Sequence, residues 1–374
     1  TIRQTLVDGR TTARLQPCRS PVWDTAIASR ALAASGATIA DPPLEAAARW
    51  LLAREITTPG DWAETVRGEP GGWCFEYANR FYADVDDTAM VLLALREALG
   101  DNWMSMGRSG AAGATMRMVH QTSARSLPAA RDDIWLLDRL AAASQRGVTW
   151  LLAMQNRDGG WGAFDRNNDR ELLCRVPFAD HNAMIDPSTP DLTGRVLEAL
   201  GALGRRVGDG AVDRAIAYLR RTQQADGSWP GRWGVNYVYG TWQVLVGLQA
   251  VGVPAVNEQM AAGANWLIAH QQPSGGWGES PDSYRDPTSR GRGPTTASQT
   301  SWAILGLLAA GAATHPATRR GVEFLINRQQ DDGTWDEPEF TGTGFPLVFY
   351  LRYHLYPIYF PLLALSRYRA EIAK

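Results

Sequence analysis

The sequence predicts an all-α fold, an α/α barrel (toroid) of paired inner and outer helices, and three observations carry that expectation. The 374 residues include 15 Trp and 37 Gly, and tryptophan recurs beside glycine, which is the mark of a repeat. One spacing returns: an aromatic at the end of a helical stretch is followed by Gln at plus five, Gly at plus nine and Trp at plus eleven. Between these copies lie apolar segments that align on a threonine, four of the five reaching a terminal Gly eleven residues later.

The first apolar segment is SPVWDTAIASRALAASG, around Thr25. A degenerate copy follows, with Trp50 before Glu55, Gly60 and Trp62 and one residue inserted. DVDDTAMVLLALREALG, around Thr88, is the second inner helix. Residues 101 to 145 break the pattern with Gly, Ser, Met and Arg, and read as a surface insertion, partly helical at 131 to 143. Trp150, Gln155, Gly159 and Trp161 then lead to PDLTGRVLEALGALG around Thr193. Tyr218, Gln223, Gly227 and Trp229 lead to YGTWQVLVGLQAVG around Thr241, and Trp266, Gln271, Gly275 and Trp277 to SQTSWAILGLLAAG around Thr300. The last copy, Phe324, Gln329, Gly333 and Trp335, precedes Phe345, Phe349, Tyr353 and Tyr356, whose spacing of four, four and three fits one helical stripe, equally natural for core or cavity wall.

In each copy a helical period runs into an Asp-Gly or Gly-Gly turn that stops the helix. The threonine segments are apolar nearly all round, as suits helices buried on both sides. Stacked antiparallel pairs of this kind close into a toroid whose inner helices point their starts at one cavity. The Gln and Trp residues read as staples, the Gln amide bonding backbone near the next helix start and stacking on the Trp.

A net charge of −2 offers no counter-charge to a polyanion, so nucleic acid is not an expected partner. Cys18, Cys74 and Cys174 form neither a disulfide framework nor a zinc pattern, which suits a reducing cytoplasm. The histidines at 120, 181, 270, 315 and 354 lack metal-ligand spacing. With no run of 18 apolar residues, any membrane contact is expected to be peripheral.

Chemistry concentrates at the second inner helix, where Asp84, Asp86 and Asp87 fall within four residues. Capping a helix start accounts for one carboxyl. Three converging on a low-dielectric cavity hold at least one proton at neutral pH, which makes a Brønsted acid. Magnesium is the competing use of clustered Asp, but it calls for a second ligand motif, and none is obvious. No metal is therefore expected.

SPVWDTA, DVDDTA, the Gln-to-Trp repeats, GRWGVNYVYGT and WDEPEFTGTGFP together resemble the squalene–hopene cyclase family of triterpene cyclases, over nearly all of residues 15 to 370. The resemblance implies two α/α barrels in the full-length enzymes, of which this chain would be the C-terminal one, with the preceding N-terminal half and its second barrel largely absent. The implied reaction is acid-initiated cyclisation of squalene to hopene, and in part to hopanol, without a metal or organic cofactor. Asp86 matches the general acid, with Asp84 and Asp87 beside it. Asp24, Asp191 and Tyr239 match a hydrogen-bonding network that supports the acid and resupplies its proton. Arg195 stands where some members have histidine; a fixed cation sharpens the acidity but relays no proton, so reprotonation would run through water and Tyr239. Trp23, Phe75, Tyr82, Phe164, Trp233, Phe345, Phe349, Tyr353 and Tyr356 match cavity aromatics, whose faces stabilise cations without capturing them. Phe164 replaces a tyrosine of some relatives. Phe178, followed by Ala179 where relatives have Cys, matches a constriction between a membrane-facing channel and the cavity. The expected partners are squalene or a similar isoprenoid and the cytoplasmic face of the cell membrane, contacted monotopically, with a homodimer left open. Two rival readings stand: a class II cyclase for another isoprenoid, and a non-catalytic isoprenoid-binding fragment.

Overall fold

The computed structural model describes the backbone of all residues except 1, 8–9, 16–18, 101–126 and 171–183, and describes no side chains in 2–15 and 127–134. Among the described residues there are eleven α-helices. Six of them are α1 (Pro21–Ser35), α3 (Val85–Leu99), α5 (Pro190–Ala202), α7 (Tyr237–Ala250), α9 (Ala297–Ala309) and α11 (Tyr356–Ile372). Each packs on the next in that order, and α11 packs back on α1, so the six close a ring. The outer helices are α2 (Pro42–Leu52), α4 (Leu127–Ala153), α6 (Gly210–Thr222), α8 (Glu258–Ala269) and α10 (Pro316–Arg328). Proline inside the first turn starts α1, α2, α5 and α10, where its missing N–H costs no hydrogen bond.

The helix pairs are joined by recurring bonds. Trp161, Trp229, Trp277 and Trp335 each donate their indole N–H to the carbonyl of Leu151, Leu219, Leu267 and Leu325, at 2.7–2.8 Å. The backbone N–H of Trp161, Trp229 and Trp277 donates to the hydroxyl of Thr193, Thr241 and Thr300, at 2.9–3.2 Å. The threonine column is thus the acceptor for the amide that delivers each tryptophan. Gln155, Gln223 and Gln271 donate to the turn carbonyls of Gly159, Gly227 and Gly275, and also to Ala211, Gln259 and Ala317 in the first turn of the next outer helix. Buried polar backbone between the units is satisfied in this way.

The structure corrects the degenerate copy, the insertion and the aromatic stripe. In the degenerate copy, Trp73 rather than Trp62 makes the indole bond, to Leu51 O at 2.7 Å, and its amide meets Thr88 Oγ1 at 2.9 Å. Glu55 does occupy the Gln position, with Arg146 bonding both its oxygens at 2.6 and 2.7 Å. The turn glycine is Gly71, not Gly60: a Cβ on Gly71 would meet Arg146 at 2.6 Å, as one on Gly159 would meet Arg214 at 2.3 Å. Trp62 instead packs edge-on against Trp150 at 6.1 Å.

The helix proposed at 131 to 143 is part of α4, which runs on without interruption to Ala153, so residues 127 to 145 belong to an outer helix. The rest of that proposed insertion, 101–126, lies outside the described residues. A sixth inner helix, α11, had escaped notice because it carries no aligned threonine. Two hairpins depart from an all-helical chain: β1 (Ile2–Val7) with β2 (Arg10–Leu15), and β3 (Gly342–Phe345) with β4 (Phe349–Leu351), both antiparallel.

The second hairpin overturns the helical stripe proposed for Phe345 to Tyr356. Gly344 has the Phe349 ring so close that a Cβ would lie 2.0 Å from it, and a Cβ on Gly342 would lie 2.4 Å from the Tyr353 ring. The glycines of TGTGFP therefore clear room for rings that cross the strand, and the four-residue spacing reflects a turn.

Candidate active site

The starts of α1, α3, α7 and α11 line a cavity of about 580 Å³. Asp84 is the N-cap of α3, its Oδ1 accepting the amides of Asp86 at 2.6 Å and Asp87 at 3.2 Å. Its own amide bonds Trp73 O, and that of Val85 bonds Ala163 O, both at 2.8 Å, so two repeat turns fix this helix start. Capping and convergence are both present: all three carboxyls are buried, and all three line the cavity.

Arg195 of α5, 1% exposed, donates from Nε to Asp86 Oδ1 and from Nη2 to Tyr239 Oη at 2.5 Å. The guanidinium lies over the Trp23 ring, 4.8 Å from its centroid. Burial pushes Asp86 up to about 6, with the Asp191 charge adding to the rise and Arg195 opposing it. Burial first, then mutual repulsion, raises Asp84 and Asp87 well above the ordinary carboxylate range. One oxygen of Asp87, Oδ1, is buried without a partner. The cluster therefore retains protons at a pH where a solvated carboxyl has lost them.

Asp24 and Asp191 are placed differently from the network expected of them. Asp24 accepts from Ser20 Oγ at 2.7 Å and Tyr359 Oη at 3.2 Å, and burial raises its pKa. Asp191 Oδ2 accepts the amides of Arg232 at 2.8 Å and Trp233 at 3.1 Å, fixing the loop before α7. Neither they nor Arg195 line the cavity, whereas Tyr239 does.

The rest of the wall is largely aromatic. Trp23, Phe75, Tyr82 and Phe164 line it on one side, and Trp233, Phe345, Phe349, Tyr353 and Tyr356 continue it. The rings follow one another: Phe164 to Trp233 at 6.2 Å, Trp233 to Phe345 at 6.4 Å and Phe345 to Phe349 at 5.8 Å. Tyr353 stacks on Tyr356 at 4.4 Å, and Tyr356 Oη accepts from the Trp23 indole at 3.1 Å. Tyr82 is half exposed, at the mouth. Phe178 and Ala179 lie outside the described residues. Sequence reasoning missed Asp186, whose carboxylate holds the Phe164 loop, and Glu198, which is buried one turn beyond Arg195. Charges at positions 191, 195 and 198 of an otherwise apolar helix were a readable signal for Glu198; Asp186, in an irregular segment, had none.

A match to the squalene-hopene cyclase C-terminal domain family covers residues 19–123 and 126–370. The chain belongs to the squalene-hopene cyclase family. It is 44% identical over 372 residues to a probable squalene–hopene cyclase of Sinorhizobium fredii, covering 98% of this chain and 52% of that protein. It is also 42% identical over 356 residues to a squalene–hopene cyclase of Alicyclobacillus acidocaldarius, covering 95% and 51%. The chain thus spans about half the length of these relatives. A variant of the type II terpene cyclase MstE from Scytonema, in complex with geranylgeranyl dihydroxybenzoate, shares the fold at TM-score 0.59 and 14% identity, over 94% of this chain and 88% of that one. Among the described residues of this family member, no group of three or more His, Cys, Asp or Glu side chains could hold a metal ion. No described helix is long and apolar enough to cross a membrane.

Proposed function

We propose that this chain carries the catalytic site of a triterpene cyclase that converts squalene to hopene, and in part to hopanol, by protonating a terminal alkene. The observation that carries the reading is that a buried cluster of three carboxyls and a run of aromatic rings line one cavity. Asp86 is the donor: Arg195 engages its Oδ1 and stabilises the carboxylate left when the proton goes to carbon. Asp84 holds the helix start, and Tyr239 orients Arg195. Positive charge then migrates along the folded chain past Phe164, Trp233, Phe345 and Phe349, each desolvated face contributing about 2 kcal/mol.

The lining favours a neutral hydrocarbon over an isoprenoid diphosphate, because no Lys or Arg among the described residues lines the cavity to neutralise an anionic head group, while Glu76 and Asp165 do line it. Incubation with squalene, oxidosqualene and geranylgeranyl diphosphate in turn, with analysis of the products, tests this. Pentacyclic hydrocarbon from squalene, absent with Asp86→Asn, is the expected outcome; cyclisation of the diphosphate alone would replace this reading with the other class II activity. Binding of squalene without any product would favour the non-catalytic fragment.

A peripheral, monotopic contact with the cytoplasmic face of the cell membrane completes the proposal, since the substrate is a bilayer hydrocarbon. Tyr77, Phe81 and Tyr82, all at least half exposed, supply apolar surface beside the cavity mouth. Detergent is expected to extract the protein from membranes more completely than high salt, and full release by salt alone would refute the contact.

A further inference from the structure

The segment leading into α5 carries a carboxylate that the acid chemistry does not use. Asp186 is 7% exposed, and its Oδ2 accepts the backbone amides of Phe164 at 2.6 Å and Asp165 at 2.8 Å. Its own amide donates to Asn168 O at 2.8 Å, so it is tied to the far side of the same loop. Gly162 passes so close that a Cβ there would meet the Asp186 carbonyl at 2.5 Å and Oδ2 at 2.7 Å. The loop is thus moulded around one carboxylate oxygen.

Five residues later the same device recurs, with Asp191 Oδ2 accepting two consecutive amides, the second belonging to Trp233. The two loops held in this way present neighbouring rings, Phe164 and Trp233, which meet edge-on at 6.2 Å in the cavity wall. One buried oxygen that accepts two consecutive amides fixes both, a role that the side-chain oxygen of an amide can also fill. Cation–π attraction depends on the distance from the ring face, so a shift in the loop that carries the ring reaches the cation directly.

We infer that Asp186 is a positioning residue that seats the Phe164 ring in the cavity wall and thereby sets how far cyclisation proceeds. The inference rests on the cyclase reading above. With the ring displaced, an intermediate cation loses a proton from the carbon beside it. That C–H bond breaks, its electron pair forms the new alkene, and water takes the proton, ending the cascade early. Asp186 itself touches neither substrate nor acid.

The test compares Asp186→Ala, Asp186→Asn, Phe164→Ala and the Asp186→Ala/Phe164→Ala double variant with squalene as substrate. Asp186→Ala is expected to raise the ratio of incompletely cyclised to pentacyclic product severalfold, as Phe164→Ala does. Asp186→Asn keeps an acceptor oxygen and should stay near the parent ratio. The double variant should match Phe164→Ala alone. An unchanged product ratio in folded Asp186→Ala, or a further shift on adding it to Phe164→Ala, would overturn the inference. Should Asp186→Ala not fold, Asp186→Glu keeps the charge but moves the oxygens, and the same ratio decides. Amide hydrogen exchange across residues 162–166 reads the clamp without turnover: faster exchange in Asp186→Ala and parent-like exchange in Asp186→Asn are expected, and no change in Asp186→Ala overturns the clamp. If the parent chain makes no cyclic product, the cyclase reading has failed, and exchange still judges the clamp.

Discussion

At the residue scale the acid site is a contest between burial and a cation. Asp86, raised to about 6 mainly by burial, is protonated below that pH and ionised above it. Turnover is therefore expected to fall about tenfold per pH unit above the midpoint, as only the protonated carboxyl donates; a pH–rate profile that is flat from 5 to 8 would contradict the donor assignment. The same shift bears on stability. A carboxyl with a raised folded-state pKa contributes stability that is present below the ordinary carboxylate range and is lost as pH rises through about 6. Arg195→Gln removes the group that lowers Asp86, so the falling limb should move to higher pH while the maximal rate declines, because the acid is weaker. An unmoved limb would show that Arg195 serves the fold alone. The acid triad was legible in the sequence because three carboxyls at the start of an apolar helix demand an explanation, whereas Arg195 came only from the family resemblance. Their supports were not legible: Asp186 acts through backbone amides, which sequence does not display.

At the element scale, threonine and tryptophan form one joint. The hydroxyl of Thr241, fully buried on α7, accepts the Trp229 amide at 3.0 Å, and the indole of that tryptophan bonds Leu219 O on α6. Thr241→Val keeps the shape but leaves a buried amide unpaired, a cost of about 1–3 kcal/mol. Urea titration should show this as a lower midpoint with an unchanged slope; no change in midpoint would mean that water or another acceptor replaces the hydroxyl. The four regular copies were readable because spacing alone defines them. The degenerate copy misled, since an insertion before Gly71 leaves Trp62 close to the expected distance while Trp73 makes the bonds. The hairpin of Phe345 and Phe349 misled for a related reason: the spacing of the aromatics does not show that Gly342 and Gly344, just before them, clear room for rings across a strand.

At the scale of the whole molecule, closure of the ring depends on charges at the ends of the inner helices away from the acids. Arg30 of α1, 2% exposed, bonds Glu97 of α3 at 2.9 and 3.1 Å and Glu198 of α5 at 2.5 Å. Arg367 of α11 reaches Glu97 at 2.9 Å and Glu198 at 3.8 Å, and Gln243 of α7 bonds Glu198 at 3.2 Å. Four of the six inner helices, including the one that closes the ring, thus meet at two arginines and two glutamates, and Gln243 ties in a fifth. Removing one partner strands buried charge, whereas removing the charges on both sides does not. Arg30→Ala is therefore expected to cost about 3–5 kcal/mol, while Arg30→Met combined with Glu198→Met should recover most of that loss. Against the upward push of burial, Arg30 and Arg367, with a smaller share from Arg195, hold the Glu198 carboxyl below the usual carboxylate range. The double variant should accordingly keep its melting temperature yet show an altered pH–rate profile, since the field around Asp86 has changed. Arg30→Ala with an unaltered melting temperature would show that apolar packing alone closes the ring; a double variant as unstable as the single one would show that shape, not charge balance, is what Arg30 supplies.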